Sequence, residues 1–434
     1  MKKLFRKIVS GVLLSALLFT AASCAAKNEG AKESNDTGSV TNTETVSYKA
    51  TLTAQKIAAF PDAFVSGMNQ YGWNTAANLY SGKNLAISPA SLTLAILMTR
   101  TGAVGATADE MKKALSLSSL SDEDILSSCK QLMWRANTNG MEAANSIWMQ
   151  KDYSFADAFI QSCTDHFMAD AFAVNFLTDA PAATNAINKW ASDKTHGKIP
   201  EMNPDPLPDD TRLVLINALY FLGDWEIPFT AANSFDEVFH GTTEDSTVKF
   251  MHDKRKMLYS ETPAYQMISL PFKGAEGKAD SPYSMAFILP SKGQDIAALM
   301  NDLSSKGFSS FAADLSKEKV QLSLPKYEFT FDASMVKTMQ SLGMKLAFDG
   351  EKAQFDGMTE AANDLYITDI LHKCYIRVDE KGAEAAAVTE VMVGETAAPV
   401  EDNLKNFTAD RPFLFAIYDE TDNTVLFLGA VGQL

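Results

Sequence analysis

The stretch DEKGAEAAAVTEVMVGETAAP, residues 379–399, decides how this chain folds and works. Laid out as a strand, Ala383, Ala385, Ala387, Thr389, Val391 and Val393 share one face. Glu384, Ala386, Val388, Glu390, Met392 and Gly394 share the other. Successive side chains of a strand point to opposite faces, so one side is small and apolar and the other carries two carboxylates. That suits a strand lodged in a sheet, one face on a core and one near water. Alanine and glutamate, however, favour helices over strands. Gly394 to Pro399 reads as exposed loop. The segment has the pattern of a strand without the propensity to form one unaided.

Outward from it, helix and strand signals alternate without an internal repeat. Ser88-Pro89 starts a helix, Ser as cap and Pro in the first turn, with Leu92, Ala95, Ile96 and Thr99 on one face. Thr107 and Glu110 have the spacing of a capping box. Thr184 to Lys194 reads as a helix stopped at Gly197. Arg212 to Phe221 is nearly continuous in apolar residues, as in a strand covered on both faces, and Ser284 to Leu289 is another such run. Val320, Leu322 and Leu324 alternate, and so do Tyr327, Phe329 and Phe331, with a change of phase at Pro325-Lys326. Met335 to Met344 is helical, with Gly343 near its end. Two strands close the chain, Pro412–Tyr418 and Val425–Val431, around the polar turn 419–424. The sum is an α+β pattern with large sheets.

The N-terminal stretch reads as targeting signal, not fold. Lys2, Lys3, Arg6 and Lys7 precede an apolar run from Ile8 to Ala22. That run is shorter than the roughly 20 residues of a membrane span and fits a secretory signal over residues 1–23. Ala21-Ala22-Ser23-Cys24 resembles a bacterial lipobox, with Ala21 where Leu is usual. Cys24 is then the expected lipid attachment point, and residues 24–50, polar and poor in apolar groups, a tether. Residues 51–434 are expected to form one domain. The whole chain carries 38 Lys+Arg and 54 Asp+Glu. Removing residues 1–23 removes four basic and no acidic ones, leaving 34 − 54 = −20. That balance opposes nucleic-acid binding, and it opposes a basic membrane-facing patch. Membrane contact is expected only through the lipid, with the head on the extracellular side of a bacterial cell.

Chemistry-bearing motifs are missing. His166, His196, His240, His252 and His372 do not form HExxH, and there is neither a GxSxG elbow nor a phosphate-binding GxxxxGK[ST] loop. Cys129, Cys163 and Cys374 have no CxxC spacing and read as buried, inert thiols. No catalytic residue, metal or cofactor is expected.

Several separated motifs, in order, resemble the serpins, the serine protease inhibitor family. They include Asn84-Leu85-Ala86-Ile87-Ser88-Pro89-Ala90-Ser91, Ala144-Asn145-Ser146-Ile147-Trp148 and Ile187-Asn188-Lys189-Trp190 with Gly197-Lys198-Ile199. Leu215 to Phe221 with Trp225, Leu324-Pro325-Lys326, Leu371-His372-Lys373-Cys374, Arg411-Pro412-Phe413-Leu414-Phe415 and Phe427-Leu428-Gly429-Ala430-Val431 continue the series. The resemblance covers about Lys56 to Leu434. It implies three β-sheets, eight to nine helices and an exposed reactive-centre loop over about residues 380–405. It also implies an inhibitor that a protease attacks as substrate and that traps the acyl-enzyme by inserting the cut loop into the main sheet. The hinge falls on Glu380, Gly382, Ala383, Glu384, Ala385, Ala386 and Ala387, with Ala383 where Thr or Ser is common. The family's spacing puts the scissile bond between Thr396 and Ala397; Val393, Met392 and Val400 are other choices. No Lys or Arg lies between Gly382 and Leu404, which favours an elastase-like or subtilisin-like serine protease; a cysteine protease also fits. Ser88, Ser91, Asn217 and His372 match the polar cluster that holds the sheet closed, and Trp225 the point where the loop begins to enter. The expected partner is the protease, bound covalently by a monomer. The alternative is a non-inhibitory member that acts in binding or as a chaperone. A ligand-binding lipoprotein, suggested by signal and tether alone, is opposed by the motifs.

Overall fold

Ser88 caps the helix Pro89–Arg100 as its sequence predicts: its Oγ accepts from the Ser91 N–H at 3.0 Å, and Pro89 occupies the first turn. The helix Phe176–Lys194 ends where predicted, and Gly197 turns the chain at φ +78°. The expected capping box at Thr107 is not one. The helix Gly105–Ala114 begins earlier, with Val104 at the N-cap position and no side-chain cap. Thr107 Oγ1 instead accepts from the Gln354 N–H, and the Glu110 carboxylate accepts from Lys345 and Leu346. Both side chains serve tertiary contacts with a distant segment, which spacing alone cannot distinguish from a local cap.

The computed structural model describes residues 45–46, 59–203, 205–221, 223–274, 280–359, 365–383 and 403–434. The chain divides into Met1–Asn42 and Thr43–Leu434, and every described residue lies in the second unit. In chain order the described strands are β1 (Thr45–Val46), β2 (Leu85–Ile87), β3 (Met141–Gln150), β4 (Ala169–Val174), β5 (Leu213–Phe221), β6 (Gly223–Asp224), β7 (Ser234–His240), β8 (Asp245–Glu261), β9 (Tyr265–Lys273), β10 (Asp280–Pro290), β11 (Ser316–Pro325), β12 (Tyr327–Ser334), β13 (Leu371–Val378), β14 (Gly382–Ala383), β15 (Lys405–Thr408), β16 (Phe413–Asp419) and β17 (Thr424–Val431). Nine α-helices accompany them among the described residues.

The largest sheet runs β15-β11-β8-β9-β10-β16-β17-β2, with β7 paired to β8. Its inner strands are buried throughout: β10 from Tyr283 to Leu289, and every residue of β16 and β17. The change of phase at Pro325-Lys326 is where the chain leaves this sheet. β11 pairs with β8 and β15, whereas among the described residues β12 pairs only with β13. β11 buries Val320, Leu322 and Leu324.

A second sheet has the order β1-β4-β3-β5, and β12-β13 form a separate ladder. No ladder joins β5 to β13 among the described residues. The expectation of a β5 covered on both faces is therefore corrected: only Ile216 and Ala218 are buried, and the other residues are half-buried. One edge of β5 borders an open slot rather than a neighbouring strand. The expected three sheets appear as four among the described residues, because this slot divides one sheet and the short pair β14-β6 stands apart. Among the described residues, no helix is long and apolar enough to cross a membrane.

Candidate functional site: a slot between two unpaired strand edges

β5 and β13 border a cavity of about 270 Å³. The helix Pro89–Arg100 contributes Ser91, Leu92, Ala95 and Ile96 to its lining. The segment after the helix Phe176–Lys194 contributes Thr195, Ile199, Met202 and Asn203. Asn188 fixes that segment, its Oδ1 accepting from the Met202 and Asn203 amides. A strand edge carries unpaired N–H and C=O groups, so two such edges across a gap form a receptor for one more strand.

The polar cluster predicted from sequence lines this cavity. The Ser88 N–H donates to His372 Nε2 at 3.1 Å, and Ser88 Oγ donates to the Leu426 carbonyl at 2.7 Å. An Nε2 that accepts from a backbone amide places the imidazole proton on Nδ1. Cys374 Sγ lies 3.2 Å from the same Nε2. Burial pushes the His372 pKa down to about 4, against the weaker opposing pull of Asp332. Burial pushes the Cys374 thiol up to about 12. The pair is therefore neutral, unlike the thiolate–imidazolium of a cysteine nucleophile. Asn217 faces the cavity from β5. Its Nδ2 donates to Asn145 Oδ1 at 2.8 Å, while its Oδ1 is buried without a hydrogen-bond partner. The structure thus brings Ser88, Ser91 and His372 together and leaves Asn217 on the opposite bank. Among the described residues, no hydrogen bond joins Asn217 to His372 across the slot.

Past the end of β13, residues 379–383 are fixed in place. Trp225, fully buried and stacked on Phe272 at 4.8 Å and 9°, donates its ring N–H to the Asp379 carbonyl at 2.9 Å. Its backbone N–H donates to the Lys381 carbonyl at 2.7 Å, and that of Phe229 to the Glu380 carbonyl at 2.8 Å. Gly382–Ala383 then pairs with Gly223–Asp224. A Cβ on Gly382 would stand 2.0 Å from the Gly223 carbonyl oxygen, so only glycine fits. Burial works against ionisation of Glu380, but the Lys326 ammonium at 2.7 Å and the neighbouring hydrogen-bond donors together outweigh it and hold the carboxyl below its ordinary range.

A short strand held beside one end of a slot that lacks a strand is the geometry of a fold with strand insertion. Residues 67–434 match the family model described as Serpin (serine protease inhibitor). The chain belongs to the serpin family. An uncharacterized serpin-like protein of Thermococcus kodakarensis is 30% identical over 96% of this chain and 97% of its own length. The leukocyte elastase inhibitor of Xenopus laevis is 31% identical over 80% of this chain and 92% of its own. Among solved structures, the thermophilic serpin tengpin in its native state superposes with a TM-score of 0.79 at 29% identity, covering 90% of this chain and 100% of tengpin.

For this serpin, Glu380, Gly382, Ala383 and Trp225 meet in the anchored turn. Glu384, Ala385, Ala386, Ala387, Thr396, Ala397 and Cys24 lie outside the described residues, as do the expected signal and most of the tether. Sequence reading overlooked several partners of the hinge. Lys326 faces Glu380, and Arg377 pairs with Asp379 at 2.7 Å. Asp379 Oδ1 accepts from the Lys381 N–H at 2.9 Å. Lys326 and Glu380 are 54 residues apart, and no local spacing signals such a pair. Cys374 was read as inert; it is buried and free, as are Cys129 and Cys163. Among the described residues, no group of three or more His, Cys, Asp or Glu could hold a metal.

Proposed function

We propose that this serpin is a suicide-substrate inhibitor of serine endopeptidases. The observation that carries this reading is the pair of unpaired edges, β5 and β13, facing each other across the 270 Å³ slot. The protease nucleophile attacks the carbonyl of Thr396, and Ala397 leaves as the new amino terminus. The cut frees residues 384–396 to enter the slot as a strand, and the hinge alanines pass between the edges without steric delay. Insertion has to outrun hydrolysis of the acyl bond. The orphan Oδ1 of Asn217 offers the incoming strand an acceptor.

The apolar residues around position 396 favour an elastase-like or subtilisin-like enzyme, and the likeness to a leukocyte elastase inhibitor supports the same class. Cys24 is proposed to carry lipid, holding the head on the extracellular side of the membrane; fatty-acid labelling lost in Cys24→Ala checks this.

Incubation with elastase- and subtilisin-type proteases should give a covalent complex that survives SDS. Cleavage without complex at every ratio would leave the non-inhibitory reading. Ala385→Arg places a charged, bulky side chain in the hinge and should turn the inhibitor into a substrate; unchanged complex yield would refute insertion.

A further inference from the structure

The turn between β6 and β7 presents an apolar tip to solvent. Ile227 is 53% exposed and is followed by exposed Pro228, although Trp225 and Phe229 on either side are buried. Exposed Asp224 and Glu226 precede the tip. Arg255 lies below the tip: it donates to the Ile227 carbonyl at 2.6 Å, pairs with Asp253 at 3.0 Å and also feels the charge of Glu226.

Hydrogen bonds tie this turn to the departing end of the reactive loop, and Arg255 ties it to β8. On one side, the amides of Trp225 and Phe229 hold Lys381 and Glu380, where the loop departs. On the other, Arg255 lies opposite Val320 in the β8–β11 ladder, and Val320 lies opposite Lys405, where the chain returns in β15. Ile227 thus stands at the base of the loop, bonded through its own turn to the departing leg and through Arg255 to the strands beside the returning leg. The turn lies directly beside Glu380 and Lys381, the described residues from which the loop departs.

We propose that the Ile227-Pro228 tip, flanked by Asp224 and Glu226, is a docking surface for the body of the target protease outside its active-site cleft. The proposal rests on the inhibitory reading above. The patch fits a partner surface that is apolar at its centre and cationic at its margin: the apolar contact slows dissociation of the encounter complex, and the carboxylates speed its formation. Part of the choice of target then lies outside the scissile bond.

The test compares second-order rates of complex formation, at low and high salt, for the mature chain and its variants with elastase- and subtilisin-type proteases. Ile227→Glu should slow association about tenfold with the stoichiometry of inhibition and thermal unfolding unchanged. Glu226→Gln with Asp224→Asn should flatten the salt dependence. Leu177→Glu makes the same exchange at a site that is 59% exposed on the helix Phe176–Lys194, and should change nothing. An unchanged rate for Ile227→Glu, or an equal loss for Leu177→Glu, overturns the docking surface and leaves inhibition standing. If the wild type forms no covalent complex, the inhibitory reading falls by itself. Proteases with the nucleophile replaced by alanine then report docking alone: about tenfold weaker binding by Ile227→Glu upholds the surface, and equal binding overturns it.

Discussion

His372 couples the slot to pH. Its imidazole is buried and neutral, and its Nε2 is already committed to the Ser88 amide. A histidine with a native pKa of about 4 against an ordinary 6.5 binds its proton more readily in the unfolded chain. Stability tied to this group is fully present above pH 6.5 and is lost as pH falls toward about 4, by up to about 3 kcal/mol. Urea unfolding at pH 7 and at pH 4.5 should show this loss in the wild type. In His372→Gln, whose side-chain oxygen can still accept from Ser88, most of the loss should vanish. Other groups titrate in the same range, so the difference between the two proteins is the quantity to read; equal losses would remove His372 as the sensor. The residue was legible in sequence as part of a motif. Strand alternation puts Cys374 on the same buried face as His372, but the Ser88 amide that fixes the His372 tautomer comes from 284 residues away, which no local pattern encodes.

At the scale of elements, two glycines fix the hinge. β14 and β6 approach so closely that a Cβ on Gly382 meets backbone, which cannot yield as the end of a flexible side chain can. Gly382→Val should break the pair and release residues 379–383 from Trp225. The cost should be roughly 2 kcal/mol, with faster hydrogen exchange at the Trp225 and Phe229 amides. Unchanged protection at those amides would show that the pair does not hold the turn. Strands proved legible where the sheet partner was assured, as in β10, β16 and β17, whose apolar runs match their burial. The reading of β5 failed for an informative reason. Its apolar run was read as that of a strand covered on both faces, but most of its residues are only half-buried, and β13 is not its partner in the described ladders. Thr107 and Glu110 went astray for the opposite reason: a local pattern was borrowed for long-range contacts.

For the whole molecule, an open pair of strand edges is a liability, because any extended segment can pair with them. The slot is lined from one side by the helix Pro89–Arg100 and by the segment that follows the helix Phe176–Lys194, which limits access to it. β5 has nine residues and β13 eight, and about half the backbone groups of each point into the slot. A strand inserted there makes roughly sixteen new hydrogen bonds, each worth about 0.5–1.5 kcal/mol net, so the gain is on the order of 10 kcal/mol. That rivals the entire stability of an ordinary domain. A single cut in the loop should therefore stabilise this protein, whereas a nick in most proteins is neutral or harmful. For a chain of this size the gain corresponds to a rise in unfolding temperature of roughly 10–20 °C. Limited proteolysis with an enzyme that cleaves near residue 396, followed by calorimetry of the nicked but unseparated chain, measures it. A nicked protein that melts at or below the temperature of the intact one would mean that the slot does not take the strand, and the inhibitory mechanism would lose its driving force.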